Sequence, residues 1–367
     1  MVKIGIDGRV FNKPLTGVGK YVTQLLNRIN EVAKYETTFY IYNNNKDIDL
    51  SECRFKHVLR VDERGFAQKM KPVVWLKFFS KSCINADELD YFIGGAGFLP
   101  HLSSNIKTIV VVHDFNHIIV PATMTFTQKI AHQLFYKSDV KKADYVIVNS
   151  QGTFDKTIKY FKKTPDIIVN PAVDSVYKKL DIELVTGRLK ELTISKPYLL
   201  AVATLEPRKN LGNLVRAFIK LRSENYLKEH KLVLVGKFGW KNEEIRHLIN
   251  QNKDIIQHLG YLSNKDLAVL YNGASLFVFP SVYEGYGMPV AEALACRTQS
   301  ITTNISELVE ASKGQASYIG NVSDINSICK AILNAFDSPP KQIIMTGINE
   351  DSNADFCNVV SSWFNLI

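Results

Sequence analysis

Short apolar runs alternate with longer amphipathic stretches along most of the chain, and this alternation constrains the fold more than any other feature. Residues 3–6, 38–42, 90–93, 108–112, 145–148 and 167–169 read as strands. A second series follows at 198–203, 232–235, 276–279 and 300–302. Helical periodicity occupies residues 18–32, 125–141, 152–161, 211–221 and 325–335. Strands separated by helices predict parallel sheets with crossover helices on both faces. The chain has 367 residues, more than one hydrophobic core usually serves. Because the series restarts, the expected fold is α/β with two doubly wound, Rossmann-like domains facing across a cleft. The expected boundaries are 1–177 for the first domain, 178–196 for a charged linker and 197–350 for the second domain. A C-terminal helix within 351–367 is expected to dock back on the first.

Composition narrows the partners. A formal charge of +9 favours anions, which means phosphorylated small molecules, an anionic membrane surface or nucleic acid. Neither zinc-knuckle spacing nor an RNP-like aromatic signature occurs, which places nucleic acid last. The five cysteines form no CxxC pair and read as reduced core residues. The chain opens on an apolar strand interrupted by Asp7, without a basic leader, and holds no uncharged run long enough to span a bilayer. The expectation is a soluble, cytoplasmic protein.

The segment with the strongest chemical signal is residues 277–295, FVFPSVYEGYGMPVAEALA. A buried strand ends at Pro280, a glycine-rich turn follows, and Pro289 is expected at the first helical position. Backbone N–H groups of Gly285, Tyr286, Gly287 and Met288 then point out of a helix N-terminus, which suits an anion or hydroxyl group. Glu292 lies one helical turn further on, where its carboxylate can accept two hydroxyl donors, as a ribose diol requires. The bland alternative is a strand–turn–helix with two surface glutamates, Glu284 and Glu292.

Three further features sit at strand ends. Residues 201–211, AVATLEPRKNL, place Arg208 and Lys209 where a planar fork and a point charge suit a diphosphate. A basic pair on a loop is as often a solvated surface feature. Gly17 and Gly19 follow the first strand, but their spacing lacks the last glycine of a dinucleotide fingerprint. They read either as a loop over phosphate or sugar or as a plain turn. His113 and Asp114 end the apolar run 109–112, so they are the first polar groups there able to meet a ligand. His113 can donate to a hydroxyl, with Asp114 orienting it. No P-loop, nucleophile elbow or HExxH occurs, and Asp47 and Asp49 read as turn residues rather than metal ligands.

Taken together, these segments resemble the family 4 glycosyltransferases of the GT-B fold. That group of retaining enzymes includes bacterial mannosyltransferases of O-antigen and capsule assembly. The resemblance runs from about residue 3 to about residue 322 and is carried most specifically by the PSxxEGxG and Glu-x7-Glu pattern. It implies that Glu284 lies against the donor sugar, that Glu292 binds the ribose, and that Arg208 and Lys209 neutralise the diphosphate. Gly285, Tyr286, Gly287 and Met288 would supply backbone donors, and Tyr261 and Leu262 would flank the base. His113 would approach the sugar, with Asp114, Gly17 and Gly19 near phosphate and acceptor. It implies no required metal or cofactor, a nucleotide-sugar donor with GDP-mannose leading, and a saccharide or lipid-linked acceptor in surface polysaccharide synthesis. One departure stands out: Arg297 and Gln299 replace the glycine and proline of the usual turn.

The alternatives are a UDP- or dTDP-sugar enzyme of the same fold, a GT-B epimerase or phosphorylase, and a non-catalytic scaffold or sugar-binding partner. The intact Glu284, Glu292, Arg208 and Lys209 argue against the scaffold. Residues 68–81 interleave cations with aromatics and read in two ways. One is peripheral contact with an anionic inner-membrane surface. The other is a helix that buries Trp75 and Phe79 and turns its lysines to water.

Overall fold

The computed structural model describes residues 1–13, 15–124, 126–338, 358 and 360–362. The chain divides into two compact units, the first built mainly from 1–117 and 126–172, the second from 118–124 and 173–338.

The first unit holds a seven-stranded sheet in the order β3-β2-β1-β4-β5-β6-β7. Its strands are β1 (Val2–Asp7), β2 (Thr37–Asn43), β3 (His57–Val61), β4 (Tyr91–Gly94), β5 (Lys107–Val112), β6 (Tyr145–Val148) and β7 (Ile167–Ile168). All adjacent pairs are parallel. Parallel strands need covered faces, and here Tyr21, Val22, Leu25, Leu26 and Ile29 of the helix Gly17–Val32 pack on Ile4, Ile6, Ile109 and Val111. Thr16 caps that helix. The helix expected over 125–141 is Phe126–Ala131, a π-helical turn His132–Tyr136 and Lys137–Lys142. Such a turn inserts extra backbone and re-aims the residues that follow. The helix expected within 351–367 falls mostly outside the described residues. Those described there are helical, and Val360 is buried in the first unit's core.

The second unit repeats the plan with six strands ordered β10-β9-β8-β11-β12-β13, again parallel. They are β8 (Tyr198–Val202), β9 (Lys231–Val235), β10 (Ile256–His258), β11 (Leu276–Phe279), β12 (Ser300–Thr303) and β13 (Ser317–Ile319). Every residue of β8 and β11 is buried, as central strands of a doubly covered sheet require. The interval expected as a linker contains the helix Ile182–Glu191. Its Val185 and Leu189, one turn apart, are buried in this unit's core while its charges face outward. Among the described residues no helix is long and apolar enough to cross a membrane.

Candidate active site

In the second unit, β8 and β11 are neighbours at the point where strand order reverses. Doubly wound sheets bind ligands in the crevice that opens at such a point, beyond the carboxyl ends of the strands. The loop after β8 carries Glu206, a 3-10 turn Pro207–Lys209 and Asn210. Asn210 adopts a left-handed φ of 57° and donates from Nδ2 to Val322 O at 2.7 Å, which fixes the start of the helix Leu211–Ser223. The loop after β11 carries Ser281 to Gly287 and leads into the helix Met288–Ala295. Pro289 is the second residue of that helix, one later than expected.

Glu284 joins the two loops. Its Oε1 accepts from Lys209 Nζ at 2.6 Å and from Ser281 Oγ at 2.6 Å, and its Oε2 accepts from Arg208 Nη1 at 2.9 Å. Only 6% of Glu284 is exposed. Burial alone pushes its carboxyl up. The charges of Lys209 and Arg208, with the Lys209 and Ser281 hydrogen bonds, outweigh that and hold it at about 2. Burial pushes Lys209 down, and Glu284 opposes the shift. Lys209 Nζ also stands 5.3 Å from the centre of the Phe279 ring.

Arg208 is more heavily engaged than the sequence suggested. Its Nη1 donates to Tyr283 O at 2.8 Å as well as to Glu284, its Nε donates to Glu206 Oε1 at 3.2 Å, and its Nη2 stands 2.9 Å from that oxygen. The guanidinium is therefore a strut between the loops, whereas Lys209 is a compact charge on a flexible stem. Burial pushes Glu206 up, opposed by Arg208 and Lys209. Two cations and two carboxylates thus share a mostly buried cluster whose formal charges cancel.

Gly287 precedes the helix with φ 110°, a conformation that favours glycine, and a Cβ there would lie 2.3 Å from Leu308 Cδ2, so that side chain would have to shift to admit one. Glu292 projects from the second turn of the helix and accepts from the hydroxyl of Tyr271 at 3.0 Å. Tyr271 is fully buried. Tyr286 and Met288 are half-buried against the same core. Tyr261 is 62% exposed with Lys237 Nζ 5.5 Å from its ring centre, and Leu262 packs partly on the core. Among the described residues no group of three or more His, Cys, Asp or Glu is placed to hold a metal ion.

The remaining candidates lie in the first unit. His113 Nε2 is 2.7 Å from Gly95 O and so carries the proton, which leaves Nδ1 as the acceptor of a neutral ring. Burial pushes its pKa down and favours that neutral form. Asp114 accepts from both the backbone N and Nδ2 of Asn116, forming a turn with that residue instead of a hydrogen bond to His113. A Cβ on Gly19 would sit 2.3 Å from Val10 O, so helix packing accounts for this glycine. Gly17, at the helix start, is open to solvent.

Sequence reasoning assigned no role to Ser281, Glu206 or Tyr271. Ser281 and Glu206 lay inside the quoted motifs, but only the fold shows what they touch. Tyr271 had no motif signal, because a buried helical tyrosine looks like any core aromatic.

Two Rossmann-like sheets, with a glycine-rich helix start and a basic loop meeting at a switch point of the second, define an α/β protein of the GT-B class. Residues 196–338 match the family described as glycosyl transferases group 1. The O-antigen chain mannosyltransferase B of Escherichia coli is 26% identical over 353 residues, covering 91% of this chain and 90% of the relative. The structure resembles WaaG, a glycosyltransferase involved in lipopolysaccharide biosynthesis, with TM-score 0.71 at 13% identity, covering 100% and 99% of the two chains. It also resembles a sucrose-phosphate synthase from Thermosynechococcus elongatus, with TM-score 0.72 at 17% identity, covering 100% and 98%. The chain carries the group 1 domain and is a glycosyltransferase of the GT-B fold.

Proposed function

We propose that this chain is a retaining, metal-independent hexosyltransferase, using GDP-mannose to extend a saccharide or lipid-linked saccharide in surface polysaccharide synthesis on the cytoplasmic side. The observation that carries the reading is the Arg208–Lys209–Glu284 cluster at the switch point of the second sheet, beside the helix start at Met288. The mannosyl donor and the pathway are supported by the name of the Escherichia coli relative.

In this reading the bond from the anomeric carbon to the diphosphate breaks, and negative charge grows on the departing phosphate. Lys209 and the N–H groups at the helix start stabilise that charge. Arg208 holds Glu284 in place, and Glu284 bonds to hydroxyls of the donor sugar. Glu292, steadied by Tyr271, accepts from the ribose. The acceptor hydroxyl attacks the face the phosphate leaves, and its proton passes to the departing phosphate oxygen. Retention follows without a protein nucleophile. The roles implied by resemblance for His113, Asp114, Gly17, Gly19, Tyr261 and Leu262 belong to the same proposal.

Saturation-transfer NMR with GDP-, UDP- and dTDP-sugars tests it, with Glu284→Ala as control. GDP-mannose should give saturable signals that weaken in the variant. Preference for a UDP- or dTDP-sugar would replace the donor, and binding of none would remove the donor site.

A further inference from the structure

The helix Pro72–Phe78 of the first unit buries a lysine. Lys77 is 5% exposed, and Trp75 is fully buried with its indole N–H donating to Asp62 at 2.7 Å. The sequence reading that turned the lysines of this helix to water and buried Phe79 therefore fails at Lys77, and Phe79 itself is 36% exposed. The Lys77 ammonium pairs with the buried carboxylate of Asp139 at 2.5 Å. Burial pushes Lys77 down and Asp139 up, and each partner opposes the other's shift. Such a pair is often no better for stability than two apolar side chains of similar size, because both charges have left water. What distinguishes this one is where its remaining bonds go. Lys77 Nζ also donates to Leu99 O at 2.6 Å, and Asp139 Oδ2 accepts from Leu99 N at 3.1 Å. The two halves of one ion pair thus take both backbone groups of a single buried residue.

Leu99 closes the short loop that follows β4. Within that loop Gly97 takes φ 81°, and a Cβ there would lie 2.0 Å from Tyr136 Cε2, so the tyrosine ring rests directly on the backbone. Phe98 packs edge-on against His132 and Tyr136, with ring centres 5.1 and 5.4 Å away. The π-helical turn His132–Tyr136 and Asp139, three residues beyond it, therefore hold the consecutive residues 97–99. The start of the loop is tied as well. Gly97 N donates to Gly94 O at 3.1 Å, and Gly95 O receives His113 Nε2 at 2.7 Å. The hydrogen bond made by one ring nitrogen of a histidine sets the state of the other. The place of Gly95 O thus decides which face His113 presents.

We infer that Lys77 and Asp139 are positioning residues for His113, acting through the loop after β4. The pair fixes Leu99, the loop carries that constraint to Gly95 O, and Gly95 O keeps the imidazole proton on Nε2 and the Nδ1 lone pair free to accept from a hydroxyl. Two apolar side chains could fill the same space, but they could not hold Leu99 N and Leu99 O together. The effect on ligand binding rests on the reading of His113 as a contact to the donor sugar. The effect on the ring does not.

Heteronuclear NMR of the full chain with isotope-labelled histidine rings tests it, with the His113 signals assigned by their loss in His113→Gln. The wild type should show one neutral tautomer, protonated at Nε2, and slow hydrogen exchange at Leu99 N. Lys77→Met with Asp139→Leu removes both charges together and leaves neither buried alone. In that variant His113 should show a mixture of tautomers. Lys77→Met with Asp139→Asn returns an acceptor to Leu99 N and should restore most of the wild-type pattern. Cooperative thermal melts show that the variants fold. The preference for GDP-mannose over GDP should fall about 2- to 10-fold in the apolar pair and recover with Asp139→Asn. A single Nε2-protonated ring in the folded apolar pair would overturn the inference. So would a wild-type ring protonated at Nδ1, or fast exchange at Leu99 N, neither of which depends on a variant folding. A mixture of tautomers with an unchanged preference for GDP-mannose would support the positioning role and remove His113 from the donor site, which separates the two readings.

Discussion

Lys209 Nζ lies 2.6 Å from Glu284 Oε1, an ion pair that ties the loop after β8 to the loop after β11. Both groups are mostly buried, so each depends on the other for its charge. Removing one partner from a buried pair typically costs about 3–5 kcal/mol, because the other is left desolvated and alone. Glu284→Ala should therefore lower the urea midpoint of the second unit as well as abolish turnover. Glu284→Gln, which keeps a hydrogen-bonding side chain, should lose less stability and nearly as much activity. Equal and small stability losses in the two variants would show that the pair does not join the loops.

Tyr271 gives Glu292 a fixed orientation through a 3.0 Å hydrogen bond. If Glu292 accepts from the ribose, the enzyme should favour a ribonucleoside diphosphate over its 2′,3′-dideoxy analogue by about 10- to 100-fold, the range for hydrogen bonds to a charged group. Glu292→Ala should erase that ratio, and Tyr271→Phe should reduce it while the fold is retained. Calorimetric titration of both nucleotides into the three proteins measures it. A ratio unaffected by Glu292→Ala would assign the ribose elsewhere.

The first unit carries an acid-sensitive group outside these loops. Burial pushes His117 down to about 4, and nearby His132 adds to the shift while Asp114 opposes it. An unfolded histidine titrates near about 6.5, so between these values the unfolded chain binds more protons than the folded one. The stability contribution is therefore present above about 6.5 and is lost as pH falls towards about 4. Glu284, held at about 2, keeps its charge throughout that window. Urea midpoints at pH 7 and pH 5 should differ, and His117→Phe should shrink the difference. Among the described residues the buried Nδ1 of His117 has no hydrogen-bond partner, so replacing the ring orphans none of them there. A variant with the full wild-type pH dependence would place the acid sensitivity elsewhere.

Much of the fold was legible because central parallel strands are apolar on both faces. Residues 108–112 and 276–279 could hardly be anything else. The strands missed were β3, β10 and β13, all at or near a sheet edge, where the run is short or faces water. In β3, His57, Leu59 and Arg60 are exposed, and β10 and β13 have three residues each. The helix Ile182–Glu191 was hidden for a related reason, since only Val185 and Leu189 mark its inner face. At the site, glycines and carboxylates were readable from spacing, but hydrogen-bond assignments were not. Nothing in the order Glu206-Pro207-Arg208-Lys209 says that the arginine reaches back to Glu206 and across to Tyr283 O. Arg297 shows the converse. It takes a left-handed φ of 61°, so the turn keeps a conformation suited to glycine although the glycine is gone.

The central claim is that Lys209, freed in part from Glu284, receives the donor's diphosphate. Comparing affinities for a nucleoside and its diphosphate, in the wild type and in Lys209→Met, tests this most directly. The wild type should prefer the diphosphate by at least about 100-fold, and the variant should lose most of that preference while its nucleoside affinity stays the same. A variant that keeps the full preference for the diphosphate would contradict the account.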